Sequence, residues 1–488
     1  MTLLKRTEQP ACPVKVMQFG EGNFLRAFID WMINEMNKQG KFNGMIQIVQ
    51  PLEKGMGEML NAQDGLYTLI LRGVANGKVE EKREIIKCVK GCLNPYAQWA
   101  ETVACACSKD LRFVFSNTTE AGIEYKPEPY APGRCQSTYP AKLTSLLYER
   151  FKAYDGAPDK GLILIPCELI DRNGATLRDC ILKYAKDWKL PEAFTAWISS
   201  SNLFVNTLVD RIVAGYPRAA AAKIEKELGY QDNLIDCGEI FHFFVIEGPQ
   251  SLAKELPLAE AGLQVVITDN QTPYRTRKVR FLNGAHTADV LAASLGGLTF
   301  VDEMMNDPDF GKMVCKAIND EIFHTVPLPE EEKRFFADSV IERFKNPFAQ
   351  HRLLSISLNS VSKWKVRVMP SLLDYVALKG KLPEVLAFSL AALIRFYMIE
   401  MKDGAALGSV DGRSYPVADS DDVLRFFADA TSAFRKNGDT AALVKSVLGN
   451  TAFWGTDLNE VPGLSAFVAE KLACINRDGI RAAVKTVL

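Results

Sequence analysis

The stretch from Val14 to Phe24 constrains this chain more than any other. Val14–Phe19 reads VKVMQF, a short β-type run, and Gly20-Glu21-Gly22-Asn23-Phe24 follows at once. Residues 25–36 then carry the apolar spacing of a helix. Strand, glycine turn and helix form the unit from which doubly wound α/β sheets are built. In such a unit the first glycine makes the tight turn, and the second lets phosphates approach the backbone. The helix N-terminus supplies partial positive charge. The third glycine of the usual fingerprint is absent, because position 25 is Leu25. Phe19, Gly20, Gly22, Asn23 and Phe24 are the candidate cofactor-binding residues of this turn.

The next strand is Met45–Val49, and it ends at Gln50. A dinucleotide fold that selects NAD usually places an acidic residue there for the ribose 2′-hydroxyl. Gln50 can hydrogen-bond a ribose but does not repel a 2′-phosphate, and Lys54 lies nearby, so NAD over NADP stays open at this point. Residues 84–89 and 111–116 are further expected strands, with a helix over 95–107 between them. The second of these strands ends in Asn117-Thr118-Thr119-Glu120. Asn117, Thr118 and Thr119 either meet a dinucleotide at the strand's carboxyl end or form a plain loop with a helix cap. Residues 162–166 (LILIP) are a buried strand by composition, leading into Cys167-Glu168-Leu169. Strands are expected again over 242–247 and 263–269. This alternation predicts an α/β Rossmann-like dinucleotide-binding domain over residues 1–272. Beyond it the pattern is helix upon helix, over 308–318, 330–344, 383–401, 421–436 and 440–448. A mostly α-helical substrate and catalytic domain is predicted over residues 273–488.

Composition narrows the function. The chain has 488 residues, enough for two or three cores, and 24% charged residues sum to a net charge of −1. That balance gives no pull toward nucleic acid or an anionic membrane. The first thirteen residues lack the apolar core of a signal peptide, and the most apolar run, 385–394, is too short to span a bilayer. Eleven cysteines, none in a Cys-x-x-Cys pair, read as reduced thiols of a cytoplasmic protein rather than a metal site. The oligomeric state is left open.

Lys278-Val279-Arg280-Phe281-Leu282-Asn283-Gly284-Ala285-His286 opens the helical domain. At about 100° per residue, Asn283 lies about 140° and His286 about 80° round from Lys278, so one face can present all three. A lysine can act as general acid or base, an amide can hold an alkoxide oxygen, and an imidazole can orient either. The alternative is an amphipathic helix start that happens to carry a histidine. Farther on, Ser362-Lys363-Trp364-Lys365-Val366-Arg367 is a second basic cluster.

Together these stretches resemble the polyol-specific long-chain dehydrogenases, the mannitol dehydrogenase superfamily. That family carries Gly-x-Gly-x-Phe-x-Arg-Ala near its N-terminus, matched by Gly20, Gly22, Phe24, Arg26 and Ala27. It carries Lys-x4-Asn-x2-His at the start of its helical domain, matched by Lys278, Asn283 and His286. The resemblance implies hydride transfer with NAD, no metal, and Lys278, Asn283 and His286 as catalytic residues. It also implies that Lys363 lines the substrate site. Two departures stand out. Leu169 replaces an asparagine that shares the oxyanion role in sugar-alcohol members, and Arg275 replaces a glutamate three residues before the lysine. Arg275 fits a charge-assisted contact to a substrate carboxylate, about 60° round the helix from Lys278. Its alternatives are tuning Lys278 or pairing with an acidic neighbour. The expected substrate is a small sugar acid of hexuronate breakdown. Rival expectations are another polyol or uronate dehydrogenase, a non-catalytic NAD-binding protein, or an NAD-assisted sugar-acid epimerase.

Overall fold

A computed structural model of the chain describes residues 1–8, 10–119 and 121–488. Glu120, the last residue of the polar run after the 111–116 strand, lies outside the described residues. The chain divides into two compact units. One comprises residues 1–73 and 79–271, the other residues 74–78 and 272–488.

The first unit is built on six parallel strands, β1 (Val14–Phe19), β2 (Met45–Val49), β3 (Val89–Leu93), β4 (Phe113–Ser116), β5 (Ile163–Pro166) and β6 (Leu203–Phe204). Their order across the sheet is β3-β2-β1-β4-β5-β6. The chain therefore winds outward from β1 in one direction, returns, and winds outward in the other. Phe19 pairs with Val49 on one side and with Ser116 on the other. The reversal between β1 and β4 opens a crevice at the strands' carboxyl ends, where doubly wound sheets bind ligands. Both faces are covered, as the apolar strands require. Val16, Ile46, Ile48, Phe113 and Phe115 pack into one core with Phe28 and Met32 of the helical residues 23–38. The alternate residues Met17, Phe19, Val49 and Val114 pack into the other, with Leu143 and Leu147 of the helix Tyr139–Ala153.

Two smaller sheets complete the unit. One is Asn206–Asp210, Phe243–Glu247 and Val265–Thr268, the last two of which lie within the strands expected at 242–247 and 263–269. The other joins Asp236–Gly238 to a hairpin of Tyr67–Ala75 and Lys78–Ile86. The single strand expected over 84–89 is instead the end of that hairpin and the start of β3. Its turn is Asn76-Gly77, with φ of 52° and 72°, the pair of left-handed conformations that a two-residue hairpin loop requires.

The second unit opens on one helical stretch, residues 272–295. It runs as α-helix over Thr272–Lys278, widens to a π turn over Val279–Gly284, and returns to α-helix over Ala285–Leu295. The helix Glu384–Phe396 holds the 385–394 run and is buried along almost all its length. Among the described residues no helix is long and apolar enough to cross a membrane. The unit is mostly helical as expected, but the helix expected over 383–401 ends at Phe396, and Ile399–Lys402, Ala405–Val410 and Arg413–Pro416 form an antiparallel sheet. Its turns are Asp403-Gly404 and Asp411-Gly412, again with positive φ at both positions.

Candidate active site

Gly20 leaves β1 with φ of +119°, and a Cβ there would lie 2.8 Å from the Asn117 carbonyl oxygen. Only glycine lets the two strand ends approach so closely. Gly22 differs, since a Cβ there would meet nothing within 4 Å. It faces a cavity of about 450 Å³ lined by Gly20, Gly22, Leu52, Asn117, Thr118 and Thr119 among others. The helix begins at Asn23, with Gly22 as its N-cap residue. Open space over a glycine, at the first turn of a helix, suits a pyrophosphate.

The far wall is fixed from β5. The buried Glu168 carboxyl accepts hydrogen bonds from Ser116 Oγ, Thr118 N and Thr118 Oγ1, each at 3.0 Å. Burial raises its pKa, and these donors offset part of that rise. The Asn117 amide donates to the Cys167 carbonyl at 2.9 Å. Thr119 holds φ of +74°, a strained conformation for a β-branched residue, at the cavity's edge. It caps no helix. The next helix is capped by Thr138, whose Oγ1 accepts from Ala141 N at 3.3 Å.

Four of the sequence-predicted cofactor residues are absent from the cavity lining. Phe19 is buried against Tyr139, with ring centroids 4.9 Å apart, and Phe24 stacks on Phe28 at 5.1 Å. The Asn23 Oδ1 accepts from Arg26 Nη2 at 2.5 Å. The Gln50 amide donates to the carbonyls of Leu52 (2.7 Å) and Glu53 (2.9 Å), and its oxygen accepts from Gly57 N at 3.1 Å. The polar atoms of Gln50, expected at a ribose, are here directed into the loop. Its amide shapes the loop whose Pro51 and Leu52 line the cavity.

Arg26 is a residue whose role the sequence did not disclose. It is buried, and donates to the Glu21 carbonyl (3.2 Å) and the Leu234 carbonyl (2.7 Å) as well as to Asn23. It therefore grips the glycine loop on both sides of Gly22. Asp236 lies 3.8 Å from it, and the Tyr67 hydroxyl bonds the Arg26 carbonyl and Asp30 Oδ2, both at 2.9 Å. Burial outweighs the arginine and pushes the carboxyls of Asp30 and Asp236 each up to about 7.

In the second unit the π turn corrects the angular reading of Lys278, Asn283 and His286. Bonding five residues back advances the chain by only about 80° per residue instead of about 100°. Asn283 then falls within about 50° of Lys278, and His286 comes similarly close. The turn places on one stripe what an α-helix would spread over a wide face. Gly284 keeps it packed, because a Cβ there would lie 2.9 Å from the Arg367 carbonyl oxygen. Thr287 Oγ1 donates to the Asn283 carbonyl at 2.8 Å.

The His286 ring is 8% exposed and stacks on Phe344 at 4.0 Å, 12° from parallel. The His351 ring stands edge-on at 5.5 Å. Burial, then His351, Arg343 and Arg367, hold the His286 pKa well below its ordinary value of 6.5. Among the described residues its buried Nε2 finds no hydrogen-bond partner. Leaving such an atom unsatisfied costs about 1–3 kcal/mol, which a substrate hydroxyl would recover. Lys363 donates to the Ile356 carbonyl at 2.9 Å, and burial and Arg367 lower its pKa. Arg275 and Lys278 are half-buried on the α-helical turns that precede the π turn.

Comparison with known proteins agrees with this layout. The mannitol dehydrogenase Rossmann domain matches residues 14–260, and the mannitol dehydrogenase C-terminal domain matches residues 270–476. An altronate oxidoreductase of Yersinia enterocolitica is 46% identical over 489 aligned residues, 99% of each chain. A D-sorbitol dehydrogenase structure in substrate-free form matches with a TM-score of 0.79 at 20% identity, covering 99% of this chain and all of its own. A mannitol 2-dehydrogenase of Pseudomonas fluorescens, in ternary complex with NAD and D-mannitol, matches at 0.65 and 21% identity. That match covers 100% of this chain and 96% of the other.

Proposed function

The chain belongs to the mannitol dehydrogenase family and is an oxidoreductase acting on CH–OH groups, and on that premise we propose that it interconverts D-tagaturonate and D-altronate with NAD. The observation that carries this reading is the π turn over Val279–Gly284, whose wider spacing would bring Lys278, Asn283 and His286 toward one stripe of the helix. In the direction of reduction, Lys278 gives its proton to the alkoxide that develops at the former keto carbon. Asn283 donates a hydrogen bond to that oxygen. His286, neutral and with an Nε2 that finds no partner among the described residues, bonds a substrate hydroxyl and so fixes the sugar's orientation.

A nicotinamide dinucleotide supplies or accepts the hydride when bound. Gly20, Gly22, Asn117, Thr118 and Thr119 are the residues that would hold it. Phe19, Asn23, Phe24 and Gln50 give the loop its shape. A neighbour crystallised with NAD supports NAD as the cofactor, as does the apolar Pro51-Leu52 wall.

Two observations support an acid substrate over a neutral sugar. Full-length relatives are named altronate oxidoreductase, and Arg343, Arg367 and Lys363 bear on the His286–His351 pair. Arg275 and Lys363 are proposed to receive the carboxylate. Replacing Lys278 with Ala is expected to lower turnover by about a hundredfold or more while NADH still binds. Stopped-flow turnover and NADH fluorescence read the two effects separately. Near-normal turnover in Lys278→Ala would remove the lysine from this role.

A further inference from the structure

The helical unit holds a second cavity, of about 260 Å³, at the C-terminal end of the helix Ala285–Leu295. Arg352 and Arg413 line it from two separate elements, with Ser294, Thr299 and Ser414 supplying hydroxyls. Leu298, Leu354, Val410 and Tyr415 supply an apolar wall, and no acidic residue lines it.

Neither arginine has a carboxylate partner among the described residues. Arg413 makes one long bond, Nη2 to the Leu295 carbonyl at 3.4 Å. Arg352 lies 5.2 Å over the Phe300 ring. One oxygen of the nearby Glu303 carboxylate, Oε2, accepts from the N–H groups of Thr299 (2.8 Å) and Phe300 (3.1 Å), and no ion pair joins Glu303 to either arginine among the described residues.

The chain also makes room for this arrangement. Gly297 holds φ of +89°, and a Cβ on it would lie 2.8 Å from Arg413 Nη1. The Tyr415 wall is fixed by stacking on Phe396 at 4.7 Å and by its hydroxyl bond to the Phe396 carbonyl at 3.1 Å. Two guanidiniums with free N–H edges match the paired oxygens of a carboxylate or a phosphate. The volume is that of a sugar-sized molecule and falls short of a dinucleotide.

We propose that this cavity is a regulatory site for a small organic anion, a carboxylate- or phosphate-bearing molecule of sugar size. Its position gives it leverage. Ser294 and Leu295 end the same helical stretch that bears Lys278, Asn283 and His286. Arg352 follows His351, whose ring stands edge-on to His286. An anion that draws Arg352 and Arg413 together bears on that helix and on His351 at once.

The test uses the full chain saturated with NADH, so that the glycine loop cannot bind the probe. Calorimetric titration with D-gluconate and, separately, inorganic phosphate is compared between the wild type and the Arg352→Gln/Arg413→Gln variant. Wild type is expected to bind one of the two with millimolar affinity. Binding should weaken at least tenfold in the variant and persist in Lys278→Ala. Which anion binds decides between the carboxylate and the phosphate. The same anion should change the wild-type rate at least twofold and leave the variant's rate unmoved. Equal binding by wild type and variant, or binding of neither anion, overturns the proposal. If the Gln variant fails to fold, Arg352→Lys/Arg413→Lys keeps the charge and removes the paired donor edge. Undiminished binding there overturns it equally.

Discussion

Burial against Phe344, together with His351, Arg343 and Arg367, keeps the His286 imidazole neutral through the range in which an ordinary histidine titrates. The unfolded chain binds a proton at this residue below 6.5 and the folded chain does not. Through this group, stability is lost as pH falls below 6.5. For catalysis the consequence is an absence. The pH profile of kcat/KM should show no limb near 6.5 that disappears in His286→Asn, although the variant's rate falls by roughly ten- to a hundredfold. A limb that vanishes with the histidine would mean it carries the proton that is here given to Lys278. Asp30 runs the opposite way. Its carboxyl is raised from 3.8 to about 7, so between those values the folded chain holds a proton that the unfolded chain releases. Stability therefore falls as pH rises through that window, by at most about 1.4 kcal/mol per pH unit for this group, and levels off above 7. Asp30→Asn removes this group's share of the dependence, while Asp236, also raised to about 7, keeps its own. The gap between melting temperatures at about pH 5 and about pH 8 should narrow in that variant, and an unchanged gap would contradict the assignment.

Among the elements, the widened turn Val279–Gly284 does the positioning. A Cβ at Gly284 would lie 2.9 Å from the Arg367 carbonyl oxygen, so Gly284→Ala presses directly on this turn. That substitution is expected to lower turnover at least tenfold while far-ultraviolet dichroism and NADH fluorescence stay close to wild type. Unchanged turnover would show that the packing of this turn is not what the reaction needs. The residues of this element were legible in the sequence, because lysine, amide and histidine types name their own chemistry. The turn itself was not. A π turn is stabilised by what packs on it, here the Arg367 carbonyl against Gly284, and that contact is remote in sequence. The three hairpin turns are a different case. Asn76-Gly77, Asp403-Gly404 and Asp411-Gly412 carry the strongest short-range hairpin signal there is. It was overridden by the helical texture of the second half and by the strand expected at 84–89.

Across the whole molecule, the strand-turn-helix start and the change of texture near residue 270 carried most of the architecture. The strand order β3-β2-β1-β4-β5-β6 is that of a doubly wound sheet, the class that the alternation of strands and helices predicted. The cavity at the glycine loop was half legible. The glycines and Asn117, Thr118 and Thr119 line it, whereas Gln50 and Asn23 spend their polar groups inside the protein. Sequence shows that an amide is present and says nothing of which backbone groups reach it first. Arg26 was hidden for the same reason, since its partners at Leu234 and Asp236 lie some two hundred residues away.

The substrate is the claim on which the rest converges, and one assay addresses it. NADH absorbance is followed as the enzyme is given D-tagaturonate, with D-fructuronate, D-fructose and NADPH in parallel. The account predicts stoichiometric NADH oxidation with D-tagaturonate, at a kcat/KM at least tenfold above the other pairings. Equal or better turnover of the neutral ketose, or no NADH consumption with any keto acid, would contradict it.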